Sequence, residues 1–174
     1  MLLKNGMELA ISKAIKSDAA KLIEYLNIIG GESDNISYGK NEFHMSVEDE
    51  EQYIKKIKDS KTTVILVGKI DGEIVSTGTI NTPNKERFAH QSTVALSVKK
   101  AFWNIGVGTK MMKALIEFAK MSDKIEIIHL GVKADNFNAI RLYENMGFEE
   151  IGLYKNFFKI NGNYFDEVIM NLYL

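Results

Sequence analysis

The sequence predicts a mixed domain of class α+β (α/β), in which strands and helices share one core. Three observations support this class. A short strand pattern is followed at once by an amphipathic helix near the amino terminus, two tight-turn signals predict β-hairpins, and helical patterns alternate with strands in the second half. With 174 residues, 45% of them hydrophobic, the chain can bury a sizeable core, and we expect residues 1–174 to form a single domain.

The first elements are a strand and two helices joined by a polar loop. Residues 8–14 have a strand-like pattern, and Ser17-Asp18 supplies an N-cap before apolar residues at helical spacing from Ala19. Residues 30–43 are polar and Gly-rich, which is typical of a loop able to line a site. Ser46 lies three residues before Asp49 and predicts the start of a second helix, which ends near residue 59.

Three consecutive strands follow. Residues 62–70 and 73–80 flank Asp71-Gly72, a strong hairpin signal because both central residues of a type I′ turn need positive φ. Pro83-Asn84 breaks the pattern, and residues 92–98 give the third strand of this group.

The second half alternates helices and strands. A helix with Gly108, Met111 and Leu115 on its apolar face follows a loop at residues 101–105. Residues 126–133 form a strand, Asp135 is expected to cap the next helix, and Gly147 suits the left-handed position at its end. Strands at residues 148–160 and 164–172 flank the tight turn Asn161-Gly162-Asn163.

Charge and hydropathy exclude several classes of partner. Lys and Arg total 22 against 23 Asp and Glu, so no global field attracts nucleic acid or anionic lipid. No run of eighteen apolar residues occurs, and the amino terminus does not resemble a cleavable leader. We therefore expect a cytoplasmic protein that binds neither nucleic acid nor membrane.

Metal and thiol chemistry are not expected. The chain has no cysteine, which excludes disulfides, thiolate metal sites and a cysteinyl acyl-enzyme. His44 and His129 have no acidic or histidine partners at metal-ligand spacing, so ordinary surface or packing roles are favoured. Any acyl transfer must be direct or use another nucleophile.

One segment has the composition of a phosphate-binding turn, Asn104-Ile105-Gly106-Val107-Gly108-Thr109. Free N–H groups and the positive dipole end at a helix start attract anions, and glycines let an anion approach the backbone. Lys99, Lys100 and Lys110 add positive charge nearby. Taken alone, the segment fits a plain helix entry equally well. A dinucleotide fingerprint would need glycine at Met111, and the Walker sequence is absent.

Two motifs together resemble the GNAT superfamily of acyl-CoA N-acyltransferases. Leu96-Ser97-Val98, then six residues, then Ile105-Gly106-Val107-Gly108 resembles its motif A, Gln/Arg-x-x-Gly-x-Gly/Ala, with Trp103 in the Gln/Arg position. The more specific match is Asn136-x-x-Ala139-Ile140-x-Leu142-Tyr143-x-x-x-Gly147-Phe148. The resemblance extends from about residue 8 to the end of the chain.

The resemblance implies a GNAT-like fold, a mixed and mostly antiparallel sheet of six to seven strands with helices on both faces. The fourth and fifth strands, here residues 92–98 and 126–133, would splay apart, and the pantetheine arm of acetyl-CoA would lie in the gap.

The resemblance also implies roles for individual residues. Backbone groups of Leu96 and Val98 would pair with the arm, and an N–H group such as that of Leu96 would face the thioester oxygen. Asn136 and Ala139 would flank the arm, and Tyr143 would protonate the leaving thiolate. The expected cofactor-binding residues are Leu96, Ser97, Val98, Trp103, Asn104, Ile105, Gly106, Val107, Gly108, Thr109, Asn136, Ala139 and Tyr143, with no metal.

The general base is not identified by the motifs, because Thr93 stands where many relatives have a glutamate. Substitutes that could act through water are Glu32, Asp34, Glu42, Glu73 and His90, although a solvated surface role is favoured for each one singly. The carboxylates of Glu32, Asp34 and Glu42 also suggest a cationic acceptor.

The expected function is transfer of an acetyl group from acetyl-CoA to a primary amine, by direct transfer in a ternary complex. The acceptor would be a small-molecule or peptide amine, and the closing strands could pair across a two-fold axis in a homodimer. Two alternatives stay open: a non-catalytic acyl-CoA sensor, suggested by Thr93 and Trp103, and a dinucleotide-binding protein, disfavoured by Met111.

Overall fold

The computed structural model describes residues 1–174 and contains one seven-stranded sheet with four α-helices. The strands are β1 (Ala10–Lys13), β2 (Val64–Ile70), β3 (Glu73–Asn81), β4 (Gln91–Val98), β5 (Ile127–Lys133), β6 (Glu149–Ile160) and β7 (Asn163–Tyr173). The helices are α1 (Ala19–Gly30), α2 (Val47–Ile57), α3 (Val107–Lys120) and α4 (Phe137–Glu144). Short 3₁₀ turns occupy Lys16–Asp18, Glu86–Phe88 and Lys100–Phe102.

The strand order is β1-β2-β3-β4-β5-β7-β6, and every neighbouring pair is antiparallel except β4 and β5. The expected mixed and mostly antiparallel sheet is therefore confirmed. No helix combines the length and the apolar character that crossing a bilayer requires.

Both predicted hairpins form, since their turn residues adopt the left-handed conformation. Asp71 and Gly72 have φ of 50° and 79°, as a type I′ turn requires. Asn161 and Gly162 have φ of 50° and 82°, so the second turn has only these two residues and Asn163 already belongs to β7.

The helix caps follow the sequence in part. Ser46 caps α2, because its Oγ accepts the Asp49 N–H at 3.1 Å. The cap predicted at Asp135 is wrong: the Asn136 side chain accepts the Ala139 N–H at 3.3 Å instead. Asp135 is drawn away by the Lys133 ammonium, which it binds at 2.6 Å.

Helices cover both faces of the sheet, as expected. On one face α3 contributes the buried Met111, Met112 and Leu115 to the larger core, against which α4 packs Ile140. On the other face α1 and α2 pack on β2 and β3. Since residues alternate between the faces of a strand, neighbouring positions of β5 and β7 point to different layers.

The feature that positions the site is a gap between β4 and β5. These strands pair at only three positions, Gln91 with Ile127, Ser92 with Ile128, and Thr93 with His129. Beyond them β4 continues along β3 to Val98, and β5 continues along β7 to Lys133. The fourth and fifth strands therefore splay apart, which confirms that expectation.

Candidate active site

A cleft of about 620 Å³ fills the gap between β4 and β5. Its walls are residues 94–98 of β4, residues 130–133 of β5, the start of α3, one side of α4, part of the loop after α1, and β6 and β7. Of the predicted site residues, the cleft is lined by Glu32, Leu96, Ser97, Val98, Trp103, Asn104, Gly108, Asn136, Ala139 and Tyr143.

A second and more polar groove of about 780 Å³ lies on the outer side of α1 and its following loop. It is lined by Glu24, Asn27 and His44 among others, and it shares only Glu32 with the cleft. Because it contains none of the motif residues, the cleft between the strands is the better candidate for chemistry.

The edge of β4 offers unpaired backbone groups to the cleft. The Lys99 N–H donates to the Val75 carbonyl at 2.9 Å, so the backbone N–H of Lys99 points toward β3. Along an antiparallel pair, the backbone groups of successive residues point alternately toward the partner strand and away from it. The N–H groups of Leu96 and Val98 therefore face away from β3 and toward the gap. They are available to pair with an extended ligand.

The start of α3 presents a row of free donors. The backbone N–H groups of residues 104–109 donate no hydrogen bond within the protein, and the first helical bond runs from the Lys110 N–H to the Gly106 carbonyl at 3.1 Å. Gly106 adopts φ of 100°, a left-handed conformation that glycine accepts without strain. Six N–H groups and the helix dipole together can hold a diphosphate.

Not all residues of this turn contact the cleft through their side chains. Val107 is buried in the core, and the Ile105 carbonyl accepts the Lys4 N–H at 3.2 Å. These contacts hold the loop in place, and of residues 104–109 only Asn104 and Gly108 line the cleft. Ile105 and Val107 therefore do not line the cleft, although both were predicted site residues.

Trp103 has a structural role at the position where motif A has Gln or Arg. Its Nε1–H donates to the Val98 carbonyl at 2.7 Å, while much of the ring is exposed at the cleft. This bond joins the end of β4 to the turn before α3. It also occupies a carbonyl on the strand edge that we expected to pair with a ligand, so the Val98 N–H is the group that remains.

Tyr143 lies on α4 with its ring packed near Phe148, at 5.7 Å between ring centroids. The side chain is half-buried, and its hydroxyl has no hydrogen-bond partner within the protein. Burial raises the pKa of Tyr143 to about 12, because the phenolate would lose solvation. The residue is therefore a protonated phenol at neutral pH. Ala139 and the capping side chain of Asn136 line the cleft one turn earlier.

The acidic loop does not form a carboxylate cluster in the cleft. Glu32 accepts the Lys100 N–H at 2.7 Å and so ties the loop after α1 to the turn before α3. Glu42 accepts the Gly39 N–H at 2.7 Å within the loop, and neither it nor the exposed Asp34 lines the cleft.

The other suggested bases lie outside the cleft. Glu73 is exposed beside the first hairpin turn, and His90 contacts the Gln91 side chain at 3.1 Å before β4 begins. The Thr93 hydroxyl donates to the Asn81 carbonyl at 3.3 Å. His129 hydrogen-bonds Asn171 at 2.9 Å, and no group of three His, Asp or Glu side chains is placed to hold a metal ion.

Glu167 on β7 is a site residue that the sequence analysis missed. It lines the cleft, is half-buried, and makes no hydrogen bond or ion pair within the protein. Burial raises the pKa of Glu167, and the nearby His129 acts in the opposite direction. The available signal was a charged residue between the apolar Phe165 and Ile169, at alternating positions of one strand face.

A bulge in β6 brings two further residues to the cleft. Tyr154 pairs with Glu167, but the next pair is Phe158 with Phe165, so β6 has extra residues here. Asn156 adopts φ of 57°, and its N–H donates to the Asp166 carboxylate at 2.8 Å. Phe157 and Phe158 consequently line the cleft near Glu167.

The match to known families agrees with this geometry. The sequence profile described as the acetyltransferase (GNAT) family matches residues 33–148, which contain the cleft-lining parts of β4, α3, β5 and α4. The chain belongs to this family.

Individual relatives of this GNAT chain are similar in sequence and in fold. The L-amino acid N-acetyltransferase AaaT of Escherichia coli is 33% identical over 105 residues, which cover 60% of this chain and 65% of that protein, just under two thirds of its length. A GNAT acetyltransferase structure from Streptococcus pneumoniae superposes with a TM-score of 0.94 at 27% identity, covering 96% of this chain and 100% of that one.

A more distant structure shares the fold. YncA from Salmonella typhimurium, a putative acetyltransferase solved with acetyl-CoA, has a TM-score of 0.82 at 18% identity and covers 96% of this chain and 94% of that one.

Proposed function

We propose that this GNAT chain is an N-acetyltransferase that moves the acetyl group of acetyl-CoA directly to a primary amine in a ternary complex. The observation that carries the proposal is the combination of six free N–H groups at the start of α3 with a cleft that ends between two splayed strands. The first suits a diphosphate, and the second suits a narrow extended arm.

The residues present fit coenzyme A. The N–H groups of residues 104–109 would hold its diphosphate, with Gly106 and Gly108 leaving the backbone open. The N–H groups of Leu96 and Val98 would donate to the amide carbonyl oxygens of the pantetheine arm, as one β-strand does to its neighbour. When bound, acetyl-CoA supplies a thioester whose carbonyl carbon is the electrophile.

The protein groups at the reacting end have distinct tasks. A β4 N–H group, such as that of Leu96, donates to the carbonyl oxygen as negative charge develops there. The Tyr143 hydroxyl, which burial keeps protonated, gives its proton to the departing sulfur. With no cysteine in the chain, transfer through a cysteinyl thioester is excluded.

The acceptor proposed for this chain is an α-amino group, on a free amino acid or a peptide. Its support is the similarity to AaaT, which is named as an L-amino acid N-acetyltransferase. The cleft also contains the apolar side chains of Ile36, Phe157 and Phe158, which would contact the carbon skeleton of an acceptor.

Substituting Gly108 with Glu tests the donor site. A Cβ at Gly108 would lie 3.4 Å from the Leu142 side chain and 3.9 Å from that of Leu96, so a longer acidic side chain would fill the mouth of the cleft with volume and negative charge. We expect at least about a 100-fold loss of CoA affinity by calorimetry, since one lost charge-assisted contact plus repulsion exceeds about 2.7 kcal/mol.

Gly152→Glu is the matched control for Gly108→Glu. A Cβ there meets no atom within 4 Å, and Gly152 does not have a positive φ. Its CoA affinity should equal that of the wild type. Normal affinity in Gly108→Glu would refute the assignment of the donor site.

An acyl-CoA sensor is the second candidate, because Thr93 replaces the usual glutamate and Trp103 binds the Val98 carbonyl. Both functions require CoA binding. They differ because only a transferase releases free CoA faster when an amine is added.

A further inference from the structure

We propose that Glu167 is the general base of this enzyme, the group that takes a proton from the acceptor ammonium. The inference rests on the proposed acetyl transfer. The general base is expected at the position of Thr93 on β4, where this chain has no carboxylate. The proposal places the base on a different strand, β7, across the gap from β4.

Glu167 and Tyr143 occupy opposite sides of the cleft. Val168 and Met170 of β7 are buried in the core that α3 and α4 cover, and Tyr143 packs against that same core. Since side chains alternate along a strand, Glu167 points to the other face of the sheet. Both residues nevertheless line the cleft, because the β4–β5 gap opens through the sheet. An amine can therefore approach from one side while sulfur leaves toward the other.

Because Gly131 has no side chain, the Glu167 carboxylate can lie against the backbone of β5. Gly131 lies on β5 and lines the cleft, and a Cβ built there would collide with the Glu167 carboxylate. The carboxylate thus lies over the β5 backbone at the edge of the gap. Any larger residue at position 131 would push it away.

The carboxylate is not committed to a structural partner. Its cross-strand neighbour on β5 is Lys133, but that ammonium binds Asp135 at 2.6 Å and lies 3.7 Å from the centre of the Phe165 ring. The other titratable groups facing Glu167 are His129 on β5 and Tyr154 on β6. A half-buried carboxylate without an ion pair can accept a proton at low cost.

The surroundings adjust Glu167 toward this task. Burial raises its pKa, which makes the carboxylate a stronger base than a solvated glutamate. Phe157 and Phe158, presented by the β6 bulge, line the same cleft and add apolar surface near the carboxylate.

Glu167 and Tyr143 together account for both protons that the acceptor ammonium loses. Glu167 takes one proton from the ammonium, and the freed nitrogen lone pair forms the C–N bond as the C–S bond breaks. The C–S electron pair stays on sulfur, which receives the Tyr143 proton. The second proton lost by nitrogen restores the Tyr143 hydroxyl, and Glu167 returns its proton to water. The products are an amide, free CoA and one proton.

The test compares Glu167→Gln and Glu167→Asp with the wild type. The control is Glu149→Gln, an exposed carboxylate on β6 that pairs with Asn171 and does not line the cleft. For Glu167→Gln we expect kcat at pH 7 to fall about 100-fold or more, with CoA affinity by calorimetry within about twofold. Glu167→Asp should recover part of the rate, because it retains a carboxylate.

The pH profile separates a base from a structural residue. Wild-type kcat should be level above the pKa of Glu167 and fall below it. In Glu167→Gln only amine that is already neutral reacts, so kcat should rise about tenfold per pH unit up to the pKa of the acceptor. In the wild-type protein without ligands, the carbon-13 NMR signal of the Glu167 carboxyl should titrate above the ordinary glutamate range. This signal is identified by its absence from the spectrum of Glu167→Gln.

The outcomes distinguish this proposal from the proposed function. The base assignment would be overturned if Glu167→Gln kept the kcat and the pH profile of the wild type, and if the Glu167 signal of the wild type titrated in the ordinary glutamate range. Acetyl transfer would remain intact in that case. If the wild type transfers acetyl to no amine although CoA binds, both proposals are wrong.

Discussion

Tyr143 is the residue that we propose as the acid, and its phenol is protonated at neutral pH. Its half-buried phenol lies in the cleft with a pKa raised to about 12 by burial, and no protein group accepts its proton. Because its pKa is raised, the phenol holds its proton at neutral pH. The hydroxyl is therefore available to a leaving thiolate throughout the neutral and mildly alkaline range.

The substitution Tyr143→Phe tests this role. It keeps the ring packed near Phe148 but removes the proton donor, so we expect kcat to fall about 100-fold while CoA affinity changes less than about twofold. Steady-state kinetics and calorimetry measure the two quantities. Tyr164→Phe, an exposed tyrosine at the start of β7, is the control and should keep full activity. Equal losses in rate and affinity would assign Tyr143 to binding.

Individual residues were predictable where the signal is local. Ser46 caps α2 as expected, since the N-cap and the third helical residue suffice to form that bond. Asp135 does not cap α4 as predicted, because a charged partner two residues away, Lys133, binds its carboxylate. The place of Glu167 in the cleft is not predictable from sequence, because it depends on Gly131, which is distant in the chain and adjacent only in the folded sheet.

At the scale of elements, the β6 bulge is the least regular part of the site. Three residues of β6 lie opposite one of β7, and the Asp166 carboxylate stabilises the arrangement by accepting the Asn156 N–H at 2.8 Å. Bulges are frequent beside active sites, where they redirect side chains. Here the bulge brings Phe157 to the cleft.

Removing that carboxylate should affect the acceptor and leave the donor site unchanged. In Asp166→Ala the Asn156 N–H loses its partner, so the bulge relaxes and Phe157 no longer holds its position. We expect the acceptor KM to rise about 3- to 10-fold with unchanged CoA affinity, equivalent to about 0.7–1.4 kcal/mol for one hydrogen bond. Asp166→Asn keeps an oxygen at this position and should behave nearly as the wild type. An unchanged acceptor KM in Asp166→Ala would show that the bulge does not position the acceptor.

The elements themselves were largely predictable, and the bulge was not. Asp71-Gly72 and Asn161-Gly162 each specify a turn within two residues, which fixes the register of the flanking strands. The bulge depends on a bond between Asn156 and Asp166 on two strands, so no short sequence pattern contains it. Consecutive Phe157 and Phe158, which break the strand alternation, were its only local sign.

At the scale of the whole molecule, the site exists because the sheet divides. β4 is held by β3 and β5 by β7, so the two halves of the sheet separate after Thr93 and His129. Helix α3 connects the halves and places its free N–H groups at the end of the resulting gap. The proposed donor site, acid and base thus come from four elements, α3, β4, α4 and β7.

This arrangement could not be derived from periodicity, because strand order depends on pairings between distant segments. The motifs around Gly106 and Tyr143 indicated it through the resemblance to the GNAT family, and the splay is confirmed. The acidic loop shows the limit of composition: Glu32 and Glu42 bind backbone N–H groups of the protein, so a cluster in sequence is not a cluster in the cleft.

Release of free CoA from acetyl-CoA, followed with a thiol reagent with and without a panel of amino acids and peptides, distinguishes an N-acetyltransferase from a protein that only binds CoA. We expect at least one α-amine to accelerate thiol release well above the rate of hydrolysis, and the product amine to carry one acetyl group. If CoA binds tightly but every amine leaves thiol release at the hydrolysis rate, the chain is not an N-acetyltransferase for this class of acceptor.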